Sequence, residues 1–212
     1  DHLTRALADS SAADPGVLES AWGVAVDPIA AAHSFLALTH MVTGDLIAAD
    51  AALAESGRRC DGLTFPRNAH NRAHTYFMAI WVRLECGQLD QAAELVVRLR
   101  RLSTESGLDL WSLVGATENA TVKALQALAA GSEAGTLGER AESLARRVDG
   151  SRHMQLNSYL TFHDAVIGRL LIAAGRHHDA RQRLQISLRH AAETGMHFHD
   201  AELLRLLAQT SP

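Results

Sequence analysis

The sequence predicts an all-α chain, a right-handed superhelix of about four antiparallel helix pairs closed by a terminal helix. Three observations predict it. Ala and Leu dominate the composition, which favours helix over sheet. Apolar residues recur at helical spacing, and no segment alternates as a strand does. Glycines recur with a period near 44 residues.

The period is carried by two classes of glycine. Gly44, Gly87, Gly131 and Gly175 are separated by 43, 44 and 44 residues. Gly57, Gly107, Gly150 and Gly195 alternate with them and are expected to end the second helix of each pair. The turn after the first class reads G-x-x-x-x-A in GDLIAA (Gly44–Ala49), GQLDQA (Gly87–Ala92) and GRHHDA (Gly175–Ala180). The small Ala is expected to let the second helix pack closely on the first. The copy after Gly131, GSEAGTLGERA, is degenerate.

First helices are expected at about 28–43, 66–86, 109–130 and 152–174, and second helices at about 45–59, 88–106, 136–148 and 176–194. A last helix spans about 198–209, and a short one precedes Asp14-Pro15-Gly16. Asp27 before Pro28, Pro66, Asp109 and Ser151 read as helix starts. From Leu89 to Leu102 one face is apolar, while Arg98, Arg100 and Arg101 face solvent. The chain 1–212 thus reads as one helical-repeat domain, with repeats near 28–60, 66–107, 109–150 and 152–195.

Net charge is −4 and the pI about 6.3, against the basic surface that nucleic-acid binding requires. Lys123 is the single lysine. Cys60 and Cys86 form neither a disulfide framework nor a zinc pattern and read as free thiols in a reducing cytoplasm. No apolar run approaches the roughly 20 residues of a membrane helix. The opening DHLTRALADS lacks an initiator Met and a signal peptide, so the chain is expected to be a fragment of a larger protein.

The G-x-x-x-x-A turns, the helix pairs, the stretches Asp27–Leu53 and Ser106–Trp111, and the tail ETGMHFHDAELLRLLAQ (Glu193–Gln209) carry a resemblance. The chain resembles the C-terminal tetratricopeptide-like region of large bacterial signalling ATPases of the maltose-regulator type. Those proteins join an ATPase module to a class III adenylyl cyclase or a LuxR-type helix-turn-helix. The resemblance implies a cytoplasmic sensor and self-inhibition region, with those neighbouring modules as partners. It implies no catalysis by this fragment: the chain lacks a G-x-x-x-x-G-K-[ST] phosphate loop, a cyclase metal motif and a helix-turn-helix.

Twelve histidines raise the question of metal chemistry. His70-x-x-x-His74 sets two imidazoles on one helical face, but Asn71, Arg72 and Ala73 stand between them. The Glu of a zincin is absent and Arg72 repels a cation, so a polar helix face is the expectation and a metal-dependent hydrolase the remote alternative. His177-His178 and His197-x-His199 read as exposed or capping residues. No G-x-S-x-G elbow occurs, and no cofactor is expected. Arg176–His190 reads as a basic helix face, either solvated or docking on an acidic patch of a neighbouring module.

An offset of 44 aligns Arg67, Trp111 and Gln155; Asn71, Gly115 and Tyr159; and Thr75, Asn119 and His163. These sets step by four and form one stripe, beside the apolar set Met78, Val122 and Val166. A polar and aromatic stripe suits a concave groove for a peptide, a small polar effector or a protein partner. The competing reading is a plain solvent face. The candidate binding residues are Asn71, His74, Trp111, Asn119, Tyr159 and His163. A pure protein-interaction scaffold is the alternative function.

Overall fold

A computed structural model describes residues 2–11, 26–156 and 159–210, and among these every regular element is a helix. The chain divides into two compact units, Asp1–Ala116 and Thr117–Pro212. The first holds α1 (His2–Ser11), α2 (Pro28–Val42), α3 (Leu46–Asp61), α4 (Arg67–Glu85) and α5 (Leu89–Glu105). The boundary falls inside α6 (Asp109–Ala129). The second unit continues with α7 (Ala134–His153), α8 (Leu160–Ala173), α9 (His177–Thr194), a 3₁₀ turn at His197–His199 and α10 (Asp200–Gln209). Helices pack in sequence-adjacent pairs: α2 with α3, α4 with α5, and α8 with both α7 and α9.

The local signals explain the pairs. Asp27 caps α2, its carboxylate accepting from the backbone N–H groups of Ile29 and Ala30 at 3.1 and 2.9 Å, with Pro28 as first helical residue. Gly44, Gly87, Gly131 and Gly175 all take positive φ. After each of them the next backbone N–H returns to the carbonyl five residues back: Asp45 to His40, Gln88 to Arg83, Ser132 to Ala127 and Arg176 to Leu171. That bond closes the orphan carbonyls of each first helix. Ala49, Ala92 and Ala180, the last letters of the three G-x-x-x-x-A turns, have no exposed surface, so the turn sets a close helix contact.

The second glycine class departs from expectation at two places. Gly57 and Gly150 lie inside α3 and α7, which run on to Asp61 and His153. Ser151 therefore starts no helix. Arg152 holds the extra turn, bonding Asp149 at 2.8 Å and Asp164 of α8 at 2.6 Å. The left-handed position that ends α7 falls on Gln155 (φ 58), and α8 begins only at Leu160, after Tyr159 (φ 64). Asp14-Pro15-Gly16 lies outside the described residues.

The set Met78, Val122 and Val166 is buried, as its period requires. In the second unit Ala165, Leu184, Leu203 and Leu206 form a core joining α8, α9 and α10. Each such Leu contributes about 1.5–3 kcal/mol by leaving water. A Cβ at Gly168 would stand 2.8 Å from the Leu184 side chain, so α8 and α9 approach too closely there for any larger residue.

Candidate functional site

The six candidate residues, five from the stripe together with His74, divide evenly between the units, and the structure places them mostly inside. Asn71 is buried on α4. Its carbonyl oxygen accepts from the Asp27 backbone N–H at 2.6 Å and its amide donates to the Arg67 carbonyl at 2.8 Å. Asp27 also receives Arg59, through Nε at 3.1 Å and Nη2 at 2.8 Å. Burial opposes the Asp27 charge, but the Arg59 guanidinium and the helix N-terminus outweigh it and hold the carboxyl below its ordinary value. This node ties the starts of α2 and α4 to the end of α3. Next to it lies a buried hydroxyl relay: Ser56 Oγ meets Ser34 Oγ at 3.0 Å and Thr75 Oγ1 at 2.8 Å. The Cys60 thiol donates to the Ser56 carbonyl at 3.1 Å and lies 3.6 Å from Thr75 Oγ1.

Trp111, in the first turn of α6, is buried against rings carried by α4. Its indole N–H donates to His70 Nδ1 at 3.1 Å, which puts the His70 proton, when neutral, on Nε2. The rings of His74 and Phe77 stand 6.1 and 6.0 Å from Trp111, edge-on and tilted. His74 is half-buried, and its Nδ1 has no hydrogen-bond partner among the described residues. Burial, with His70 nearby, lowers its pKa to about 4, so this imidazole is neutral at pH 7. His70 and His74 thus form a ring cluster around Trp111. Among the described residues no three His, Cys, Asp or Glu side chains are grouped to hold a metal ion.

In the second unit His163 is buried on α8, and its Nε2 meets Glu118 Oε1 of α6 at 3.0 Å. Burial opposes the imidazolium, yet Glu118 beside it prevails and raises the pKa. Asp164, with no exposed side chain, receives Arg152 at 2.6 Å and Arg183 Nε at 2.6 Å, and Arg183 also reaches Asp149 at 2.6 Å. Asn119 is half-buried, and Tyr159 is buried just before α8. Gln155 lies in the turn after α7, so the stripe breaks at the fourth repeat.

Arg176–His190 is neither a solvated basic face nor a free docking surface along its whole length. Arg176 pairs with Glu142 and Asp179, Arg183 with Asp164 and Asp149, and Arg181 donates to the Thr210 carbonyl. The acids of α7 and α8 pair with two of its four arginines, Arg176 and Arg183.

Each unit also carries an open groove that the sequence reading missed. In the first, of about 380 Å³, α4 packs against both α3 and α5 and forms the floor between them. In the second, of about 190 Å³, α8 is the floor between α7 and α9. The two are related residue by residue. Leu53, Gly57 and Ala79 of the first correspond to Ala141, Ala145 and Ile167 of the second, each 88 residues further on, twice the period. By the same offset Arg83 and Arg98 become Leu171 and Ile186. Two positions are therefore arginine in the first unit and aliphatic in the second, while a third runs the other way, Leu95 becoming Arg183.

Glu118, Asp164 and Arg59 also escaped the sequence reading. One signal was present: the Asp27–Asn71 and Glu118–His163 partners are 44 and 45 residues apart, so the period itself brings matched positions of successive first helices together. No protein-family model matches the chain, and neither a curated protein nor a solved structure matches it. None of its described helices is long and apolar enough to cross a membrane.

Proposed function

We propose that the chain is a non-catalytic regulatory region of a cytoplasmic bacterial signalling ATPase, transcription regulator or cyclase, its helix pairs stacked in the right-handed superhelix that the 44-residue period implies. The observation that carries this reading is the recurrence of one groove at an offset of twice the period, on pairs closed by the same glycine turn. Stacked repeats of this kind offer surfaces for partners and depend on neighbour contacts for stability. A small effector, a peptide or a protein partner would bind one of two arrangements more tightly and so shift the neighbouring modules. Of the six candidate residues, His74 and Asn119 keep partly exposed side chains and are the ones open to a ligand. Asn71, Trp111, Tyr159 and His163 would act through the helix contacts they hold.

A thermal-shift panel of nucleotides, sugars, amino acids, short peptides and divalent metals tests this. A ligand at 100 times its Kd adds about 2.7 kcal/mol, a rise of about 5–10 °C for a chain of this size. His74→Ala and Asn119→Ala are expected to weaken the response to whichever ligand scores. Unchanged affinity in both removes the stripe, and a stoichiometric response to zinc alone would overturn the non-catalytic reading in favour of a metal-dependent hydrolase.

A further inference from the structure

We propose that the arginine-lined groove of the first unit binds an acidic peptide segment in extended conformation. The site is separate from the six candidate residues and lies on the side lined by second helices.

Its geometry is linear. Arg72 and Arg83 on α4 are eleven residues apart, and their partners Asp61 and Asp50 on antiparallel α3 are separated by the same eleven. At 1.5 Å per helical residue, the two ion pairs mark the ends of a trough about 16 Å long. That length matches about five residues of extended chain at ~3.3 Å each and exceeds the span of a small dicarboxylate. Between the ends the α3 wall is low. Gly57 adds no side chain, and a Cβ there would come within 3.1 Å of the Arg72 guanidinium. Gly57 sits in mid-helix, where glycine costs about 1 kcal/mol relative to alanine. Its presence is explained by the room it leaves for that guanidinium.

The excess of positive charge is specific to this groove, because the second unit's groove balances Arg176 and Arg183 with Glu142 and Asp179. Four arginines and two aspartates line it, in a chain whose net charge is −4. Arg58 is paired with Glu55, and Arg72 and Arg83 with exposed carboxylates that an incoming acid can displace. Arg98, exposed on the α5 wall, has no ion-pair partner among the described residues and is open to a first carboxylate. Arg83 is held in place by Gln88 at 2.9 Å as well as by Asp50, so its planar fork is oriented before binding. The architecture does not demand these arginines, because the equivalent positions in the second unit are Leu171 and Ile186. A cationic trough with a low wall is complementary to a segment carrying carboxylates on alternate residues, which project to one side of an extended chain.

The full chain would be titrated into a fluorescein-labelled seven-residue peptide with Glu at alternate positions, read by anisotropy in low salt. Saturable binding is expected. It should weaken on adding salt, and by tenfold or more in Arg98→Ile and Arg83→Leu, which copy the second unit's own residues. Arg101→Ala, on α5 outside the groove, should bind as the unaltered chain does. Circular dichroism and the melting temperature of each variant separate lost binding from lost fold. The proposal is overturned if the unaltered chain does not bind, if a Gln version of the peptide binds equally well, or if Arg101→Ala loses as much as Arg98→Ile. Binding of glutarate with the same Arg98 dependence, and none of the peptide, would reassign the groove to a small dicarboxylate and overturn the peptide.

Discussion

In the first unit the imidazole of His74 lies against Trp111 and His70, and burial holds its pKa at about 4; in the second, His163 faces Glu118 at 3.0 Å and is held above the ordinary histidine value. Burial, partial at His74 and nearly complete at His163, disfavours the charged form of both rings. What separates them is the acid around His163, Glu118 in contact and Asp164 close by. The first unit therefore buries neutral rings and one charged node, Asp27 with Arg59, and carries its other ion pairs along the groove. The second buries a charge network, with Glu118, Asp164, Arg152 and Arg183 inside or nearly so. A paired buried charge adds little net stability, but removing one partner strands the other. The two units should accordingly differ in which damage they tolerate.

The composition supplies a way to watch them apart. Trp22, Trp81 and Trp111 all precede residue 117, so tryptophan fluorescence reports the first unit, while far-ultraviolet circular dichroism reports both. The largest expected effect is Asp164→Asn, which takes the buried carboxylate from Arg152 and Arg183 and leaves them only the exposed Asp149. It should destabilise the second unit by about 3–5 kcal/mol, seen as an early urea transition in circular dichroism with the fluorescence midpoint unmoved. Coincident transitions at an unchanged midpoint would show that the network is not a buried-charge trap.

The next effect is one of pH, with opposite sign in the two units. An unfolded histidine titrates near 6.5. His74 binds its proton only near pH 4 when folded, so the first unit is fully stable above about 6.5 and loses stability as the pH falls towards 4, by up to about 3 kcal/mol. His163 is raised, so its contribution is complete below 6.5 and is lost as the pH rises through the folded value. Urea midpoints at pH 5 and pH 8 should move in opposite directions by the two probes. His74→Phe should reduce the acid sensitivity of the fluorescence signal, leaving the share of His33 and His70, whose pKa values burial also lowers; undiminished sensitivity would trace it to those groups.

The smallest effects come from glycine. Gly175 takes φ +74, and Gly175→Ala should cost about 1–2 kcal/mol. Gly150 is helical with open space where a Cβ would stand, and Gly150→Ala should gain about 0.5–1 kcal/mol. Thermal melts of the two variants should therefore shift in opposite directions; equal shifts would mean that the backbone conformation at position 175 is not the constraint.

The helices at Pro28, Leu89 and His177 were legible because their signals are local: a cap, a proline, a glycine followed five residues later by a buried alanine. The junction between α7 and α8 was not, because its extra turn is held by Arg152 reaching Asp164, and no window of sequence contains that bond. The stripe met a different limit. The period correctly aligns Thr75, Asn119 and His163, yet a polar residue at a matched position reads the same whether it faces a groove or a buried partner. Asn71 and His163 face partners 44 and 45 residues away, and their polarity answers the interior. The grooves escaped because their walls come from three helices at once, and only the offset of 88 between their linings shows that they are one feature.

Cys60 carries a consequence in time. Its sulfur is sealed between its own helix and Thr75, whereas Cys86, at the end of α4, is only half-buried; burial pushes both thiols up. An alkylating reagent can reach Cys60 only when α3 and α4 part, but it can reach Cys86 through fraying of a helix end. The chain therefore carries two clocks in one unit, a fast one set by local motion and a slow one set by the opening of a helix pair. A mass spectrum taken at intervals would read both rates from a single unlabelled sample.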